Sequence, residues 1–232
     1  MRCAVYFIPP REHPLCAAAA SWLGRDPYTG EEVEAFLAGP GGAEHERLTA
    51  APRRYGFHAT IKAPFRLADG RSIGELSQQL AALAASLGGF DLRLVIARLG
   101  SFFALVPEPP VAALEAVAAG IVADLDYLRA PLSEADRKRR KLDQLSERQR
   151  EYVETWGYPY VFDEFRFHMT LTGPVASEDQ PRVERALISH FGAGPILVPF
   201  DQLAIAVEPH EGAPFHVQSV HRFRPAGEAE KQ

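Results

Sequence analysis

Two short strings carry the residues best suited to chemistry, His58-Ala59-Thr60 and His168-Met169-Thr170. Successive side chains of a β-strand point to opposite faces. A His-x-Thr spacing on a strand therefore sets an imidazole beside a hydroxyl on one face. The imidazole exchanges a proton near neutral pH. The hydroxyl donates to an oxyanion such as a phosphoryl oxygen. A single His-x-Thr is more often structural than catalytic. Two of them, each in a strand of similar pattern, suit a reaction needing one base and one acid. Phosphodiester cleavage is such a reaction, since attack and departure lie in line on opposite sides of phosphorus. His58 and His168 are then acid and base, in an order the sequence leaves open. Thr60 and Thr170 hold the non-bridging oxygens. The scheme asks for no metal and no cofactor.

The strands around these motifs fit that placement. Phe57, Ala59, Ile61, Ala63 and Phe65 form an apolar face behind His58, Thr60 and Lys62. Phe165, Phe167, Met169 and Leu171 do the same behind Arg166, His168, Thr170 and Thr172. Each strand is expected to pack one face on helices and turn the other toward a cleft.

Strands are expected at 2–8, 57–65, 90–99, 102–106, 165–173, 196–207 and 215–223. Helices are expected at 13–23, 72–87 (with Ser72 as N-cap), 109–128, 133–156 and 179–191. The segment 24–52, rich in Gly and Pro, reads as mostly loop with a helix around 31–37. The tail after Pro225 is polar and expected to fray. This order contains a coarse repeat, 1–100 and 101–225, each with one His strand. The 133–156 stretch is a charged helical insertion in the second copy. The expectation is a single domain over 1–232 with two lobes.

Composition bounds the rest. The 232 residues are 47% hydrophobic and 24% charged, with a net charge of -5. These values suit a globular chain and argue against a broad nucleic-acid-binding face. Cys3 and Cys16 are the two cysteines, too few for a zinc site, and are expected as reduced thiols. No signal-peptide layout or membrane-length apolar run is present, so a cytoplasmic protein without membrane partners is expected. His13, His45, His190, His210, His216 and His221 lack metal-ligand spacing.

The two motifs resemble those of the two-histidine (2H) phosphoesterase superfamily. Longer strings, Arg54-Tyr55-Gly56-Phe57-His58-Ala59-Thr60-Ile61-Lys62-Ala63-Pro64-Phe65 and Phe165 to Gly173 with Trp156-Gly157-Tyr158-Pro159-Tyr160, are similar to a bacterial branch encoded beside phosphonate-degradation genes. The resemblance implies a bilobed α/β (α+β) fold, with antiparallel sheets lining a central cleft and helices outside. It also implies metal-independent opening of a cyclic phosphate of a small sugar or nucleotide, including a ribose cyclic phosphate. An RNA-end-processing enzyme and a non-catalytic phosphate-binding module are the alternatives.

Further substrate contacts are assigned to Arg54, Tyr55, Lys62, Arg166 and Tyr158, each weighed against a surface or packing role. Tyr160 has the same balance. The basic run Arg137 to Lys141 goes all round a helix and reads mainly as a solvated face. Oligomeric state is left open.

Overall fold

The computed structural model describes residues 1–34 and 42–225. Eight strands form one sheet: β1 (Arg2–Phe7), β2 (Ala59–Phe65), β3 (Phe90–Leu99), β4 (Phe102–Pro107), β5 (Met169–Thr170), β6 (Ile196–Phe200), β7 (Gln202–Glu208) and β8 (His216–Arg222). The helices are α1 (Pro14–Leu23), α2 (Gly42–Tyr55), α3 (Ile73–Ser86), α4 (Ala112–Asp124), α5 (Glu134–Arg139), α6 (Glu147–Trp156) and α7 (Gln180–Phe191).

The strand order is β6-β3-β4-β5-β2-β1-β7-β8, and the strand pairs are antiparallel. The two halves meet where β2 pairs with β5 through Ala59 and Met169. The halves do not follow the expected division into 1–100 and 101–225. β3, from the first segment, sits with β4 and β5, while β7 and β8, from the second, extend the sheet beyond β1. The expected strand 196–207 is accordingly two strands. It breaks at Asp201, where the chain crosses from β6 at one edge to β7 in the other half.

One large core joins the halves, including Phe7, Trp22, Leu80, Leu105, Met169 and Phe200. β7 is buried along its whole length. Ser72 caps α3 by accepting the Glu75 amide at 3.1 Å, as expected for that residue type.

Three other expectations change. The expected helix 133–156 is broken into α5, a 3₁₀ turn at 142–144 and α6, with Ser133 and Ser146 each forming a capping box. The expected strand 165–173 is reduced to β5. A 3₁₀ turn at 162–164 precedes it, and the Thr172 hydroxyl accepts the Phe103 amide at 3.0 Å, ending the ladder. Residues 31–34 are not helical; 35–37 lie outside the described residues, as does the tail after Pro225.

The helix α2 occupies part of the segment read as loop. Its buried residues, His45, Leu48, Thr49 and Pro52, recur at helical spacing. Pro52 sits inside the helix and has no amide for the Leu48 carbonyl. That carbonyl accepts instead from Gly173, at 2.6 Å. The helix that leads into the first motif is thereby tied to the end of the second.

Candidate active site

The pairing of Ala59 with Met169 decides the geometry of the site. In an antiparallel pair, continuing that register by one residue sets His58 across from Thr170 and Thr60 across from His168. Each His is thus placed opposite the other motif's Thr in the strand register, while the hydroxyl that His58 Nε2 contacts is that of its own Thr60. The cavities follow the same crossing. One of about 260 Å³ is lined by His58 and Thr170 with Tyr55, Phe102 and Thr172. Another of about 640 Å³ is lined by Thr60 and His168 with Phe102, Tyr158, Tyr160 and Arg166.

Both histidines are held the same way. His58 Nδ1 lies 2.9 Å from the Gly56 carbonyl, and His168 Nδ1 lies 2.8 Å from the Arg166 carbonyl. A carbonyl only accepts, so Nδ1 is a donor in each ring. Nε2 is the nitrogen of each ring not held by the backbone. Gly56 has φ +76°, a left-handed conformation that glycine adopts without strain, and this turn aims its carbonyl at His58.

The two rings differ in surroundings. His58 is half-buried, stacked on Tyr6 with centroids 3.7 Å apart, and its Nε2 is 3.2 Å from Thr60 Oγ1. Burial pushes its pKa down to about 4; the Gly56 carbonyl opposes this, and the nearby charge of His168 adds to it. His58 is therefore neutral at pH 7. His168 contacts the Phe102 ring at 5.9 Å.

The substrate contacts expected from the sequence are distributed unevenly. Tyr55 stacks on Phe215 at 5.2 Å and reaches the His58 cavity. Tyr158 packs edge-on to Tyr160 at 5.5 Å and, with Arg166, lines the His168 cavity. Arg54 is not among the residues lining either cavity. Its guanidinium pairs with the buried Glu208 and lies over the Tyr55 ring at 5.4 Å. Burial raises the Glu208 carboxyl, but bonds from Arg2 and Arg54 outweigh this and hold it below the usual range.

Lys62 departs from the expected cleft face. A register shift between Val5 and Tyr6 in the β1–β2 pairing falls between Thr60 and Lys62 and interrupts the alternation. The ammonium is buried, donating to the Val122 carbonyl at 2.9 Å and to Asp126 at 3.0 Å. Ala63, expected on the apolar face, lines the His168 cavity instead.

Two residues of the site escaped the sequence reading. Tyr6 gives the ring on which His58 rests, and its only sequence signal is a large polar-tipped residue within an apolar strand. Arg25 is buried and donates to the carbonyls of Gly30, Arg53, Arg54 and Phe215, at 2.6–3.3 Å. It clamps the segment before the first motif to Phe215, the residue that leads into β8. Nothing in its local sequence marks it. Among the described residues no group of three His, Cys, Asp or Glu side chains is placed to hold a metal ion. No helix of the described chain is long and apolar enough to cross a membrane.

A family model described as "Protein of unknown function (DUF1045)" matches residues 60–216. The chain belongs to the DUF1045 family. The match takes in Thr60 and the whole second motif and begins two residues after His58. A DUF1045 chain such as this one is also 39% identical, over 92% of its length, to "Ribose 1,5-bisphosphate phosphokinase PhnN" of Janthinobacterium sp. (strain Marseille), covering 49% of that protein. It is 37% identical, over 94% of its length, to the protein of the same name from Laribacter hongkongensis (strain HLHK9), covering 50% of it. The chain spans about half the length of the curated relatives it matches. Among solved structures, TT0787 of Thermus thermophilus aligns with a TM-score of 0.48 and 15% identity, over 97% of this chain and 100% of that one. E. coli LigT complexed with NADP+ aligns with a TM-score of 0.43 and 12% identity, over 96% and 97%. At TM-scores below 0.5 these likenesses decide neither fold nor activity.

Proposed function

We propose that this DUF1045 chain is a phosphodiesterase that opens a cyclic phosphate by two-histidine acid–base catalysis. The observation that carries the reading is the crossed arrangement at the β2–β5 junction, each His opposite the other motif's Thr. It supplies two proton-transfer groups and two hydroxyl donors around one point, as in-line displacement requires.

His58, neutral at pH 7, suits the base. Its Nε2 takes a proton from water as the water oxygen bonds to phosphorus. His168 Nε2–H then protonates the ring oxygen as its bond to phosphorus breaks. The cyclic diester and one water become an acyclic monoester. Thr60 and Thr170 donate to the non-bridging oxygens as their charge grows. Each histidine contributes roughly 10²–10⁴-fold on this account.

The substrate class is a small sugar or nucleotide cyclic phosphate. The name of the two relatives, a kinase acting on ribose 1,5-bisphosphate, belongs to proteins about twice this length. The 232 residues contain no Gly-x4-Gly-Lys-Ser/Thr phosphate loop. We read the matched half as the esterase partner of a sugar-phosphate kinase, because opening a ribose cyclic phosphate leaves a ribose phosphomonoester.

The test is a panel of cyclic nucleotides and cyclic ribose phosphates in EDTA, with products identified by phosphorus NMR. Ring opening that survives EDTA and is lost in His58→Ala and His168→Ala supports the reading. Activity that needs an added metal, or that persists in either variant, overturns it.

A further inference from the structure

Beside the histidine cleft lies a second, enclosed cavity whose lining is strongly cationic. Arg2, Lys62, Arg66, Arg129 and Arg140 line it, together with Tyr158. The carboxylates paired with these cations are Glu208, Asp126 and Asp136. They do not balance them, because Glu208 also serves Arg54 and Asp136 also serves Arg139. Arg140 is the unpaired cation. It has no ion pair among the described residues and lies over the Tyr158 ring at 4.9 Å. This concentration of positive charge stands in a chain whose net charge is -5.

Cations gathered in a poorly solvated place repel one another, and without a counter-charge they are costly. A structural ion-pair network would normally carry matching carboxylates. An excess of planar guanidinium groups instead suits a phosphate, which accepts several bidentate bonds at once. The location is equally specific. Tyr158 and Ala63 line both this cavity and the one holding Thr60 and His168, so the two share a wall. The free space is about 20 Å³, room for roughly one water. A phosphate enters only if Arg140 and Tyr158 move outward. Arg140 directly follows α5, inside the charged insertion, and Tyr158 lies in the turn just beyond α6.

We propose that this cationic cavity binds a second, non-reacting phosphate monoester of the substrate. The proposal rests on the phosphodiesterase reading and narrows it: the preferred substrate carries a phosphomonoester in addition to its cyclic phosphate. Arg140 is the group left free to receive that monoester, and Tyr158 is the side chain that links its arrival to the reacting cleft.

The experiment compares adenosine 2′,3′-cyclic phosphate with the same compound bearing a 5′-phosphate. The expected kcat/KM is higher for the phosphorylated form by about tenfold or more, roughly one charge-assisted contact. In Arg140→Gln the ratio falls to within about threefold of unity. Arg140 has no carboxylate partner, so its replacement strands no buried anion; a thermal melt checks that the variant folds. Inorganic phosphate should raise the melting temperature of the wild type more than that of Arg140→Gln. Equal rates for the two substrates in the wild type, or a preference unchanged in Arg140→Gln, overturn the subsite and leave the phosphodiesterase reading standing. Opening of neither substrate fails that reading instead. The subsite is then decided by phosphate protection alone, which is lost in Arg140→Gln if the cavity binds phosphate and unchanged if it does not.

Discussion

The imidazole of His58 lies against the ring of Tyr6, with centroids 3.7 Å apart and planes 26° from parallel. Tyr6 is fully buried, and its hydroxyl has no hydrogen-bond partner among the described residues. The contact keeps water from one face of His58 and so favours its neutral form. It predicts where the acid limb of the pH–rate profile lies. For kcat/KM on a cyclic nucleotide, the limb should fall near pH 4 in the free enzyme, well below the ordinary histidine value. Tyr6→Leu should move it upward, while Tyr6→Phe should leave it in place. NMR titration of the His58 ring reads the same midpoint directly; a value at or above 6.5 would contradict the assignment.

The same shift has a consequence for stability. His58, His45 and His221 all have pKa values lowered by burial in the folded state. The unfolded chain therefore takes up protons first as pH falls. Stability should decline as pH drops through about 6.5 and level off once the folded rings protonate, near 4 for His58. Urea titrations at a series of pH values measure this. His58→Gln should flatten part of the decline, and a curve as steep as the wild type's would count against a desolvated His58.

Three threonines on the polar sides of the two His strands separate by role. Thr60 and Thr170 are part-exposed at the cleft, whereas Thr172, in the wall of the His58 cavity, is fully buried and accepts the Phe103 amide. Thr172→Val leaves that amide unsatisfied and should cost about 1–3 kcal/mol of stability with little change in kcat. Thr170→Val should do the opposite, lowering kcat by roughly tenfold or more through loss of an oxyanion donor while preserving the melting temperature. Paired melts and initial rates distinguish the two. A Thr172→Val enzyme with normal stability but no activity would reverse the assignment.

Lys62 and Asp126 are an unequal pair. Asp126 keeps Arg129, which bonds it at 2.8 Å, when Lys62 is removed. Lys62 keeps the Val122 carbonyl and the Phe65 ring at 5.4 Å, but no anion, when Asp126 is removed. Lys62→Met should therefore cost about 2 kcal/mol or less, and Asp126→Ala about 3–5 kcal/mol, by leaving an uncompensated buried ammonium. Denaturant midpoints at pH 7 give the order. Equal costs would mean that Lys62 is less buried in solution than its packing indicates.

The amino-acid sequence by itself determined the local features. Alternation of Phe57, Ala59, Ile61 and of Phe167, Met169, Leu171 marked the buried sides of both His strands, and these residues are buried. The motifs at His58 and His168 were visible because period-two spacing is a property of neighbouring residues alone. Ser72 and Ser133 signalled helix starts for the same reason. Tertiary structure decided what depends on distant partners. The Ala59–Met169 register crosses each His with the other motif's Thr, a pairing between segments remote in the chain. The bulge against β1 turned Lys62 out of the cleft. Strand exchange moved β3 and β7 into opposite halves. Pro52 freed the Leu48 carbonyl, but only folding brought Gly173 to it. Arg25 and Tyr6 act through contacts with segments remote in sequence, and the cationic cavity is assembled from segments between Arg2 and Val161. Local periodicity is written in adjacent residues; register, bulges and charge balance are fixed only when separate segments compete for the same space and the same hydrogen bonds.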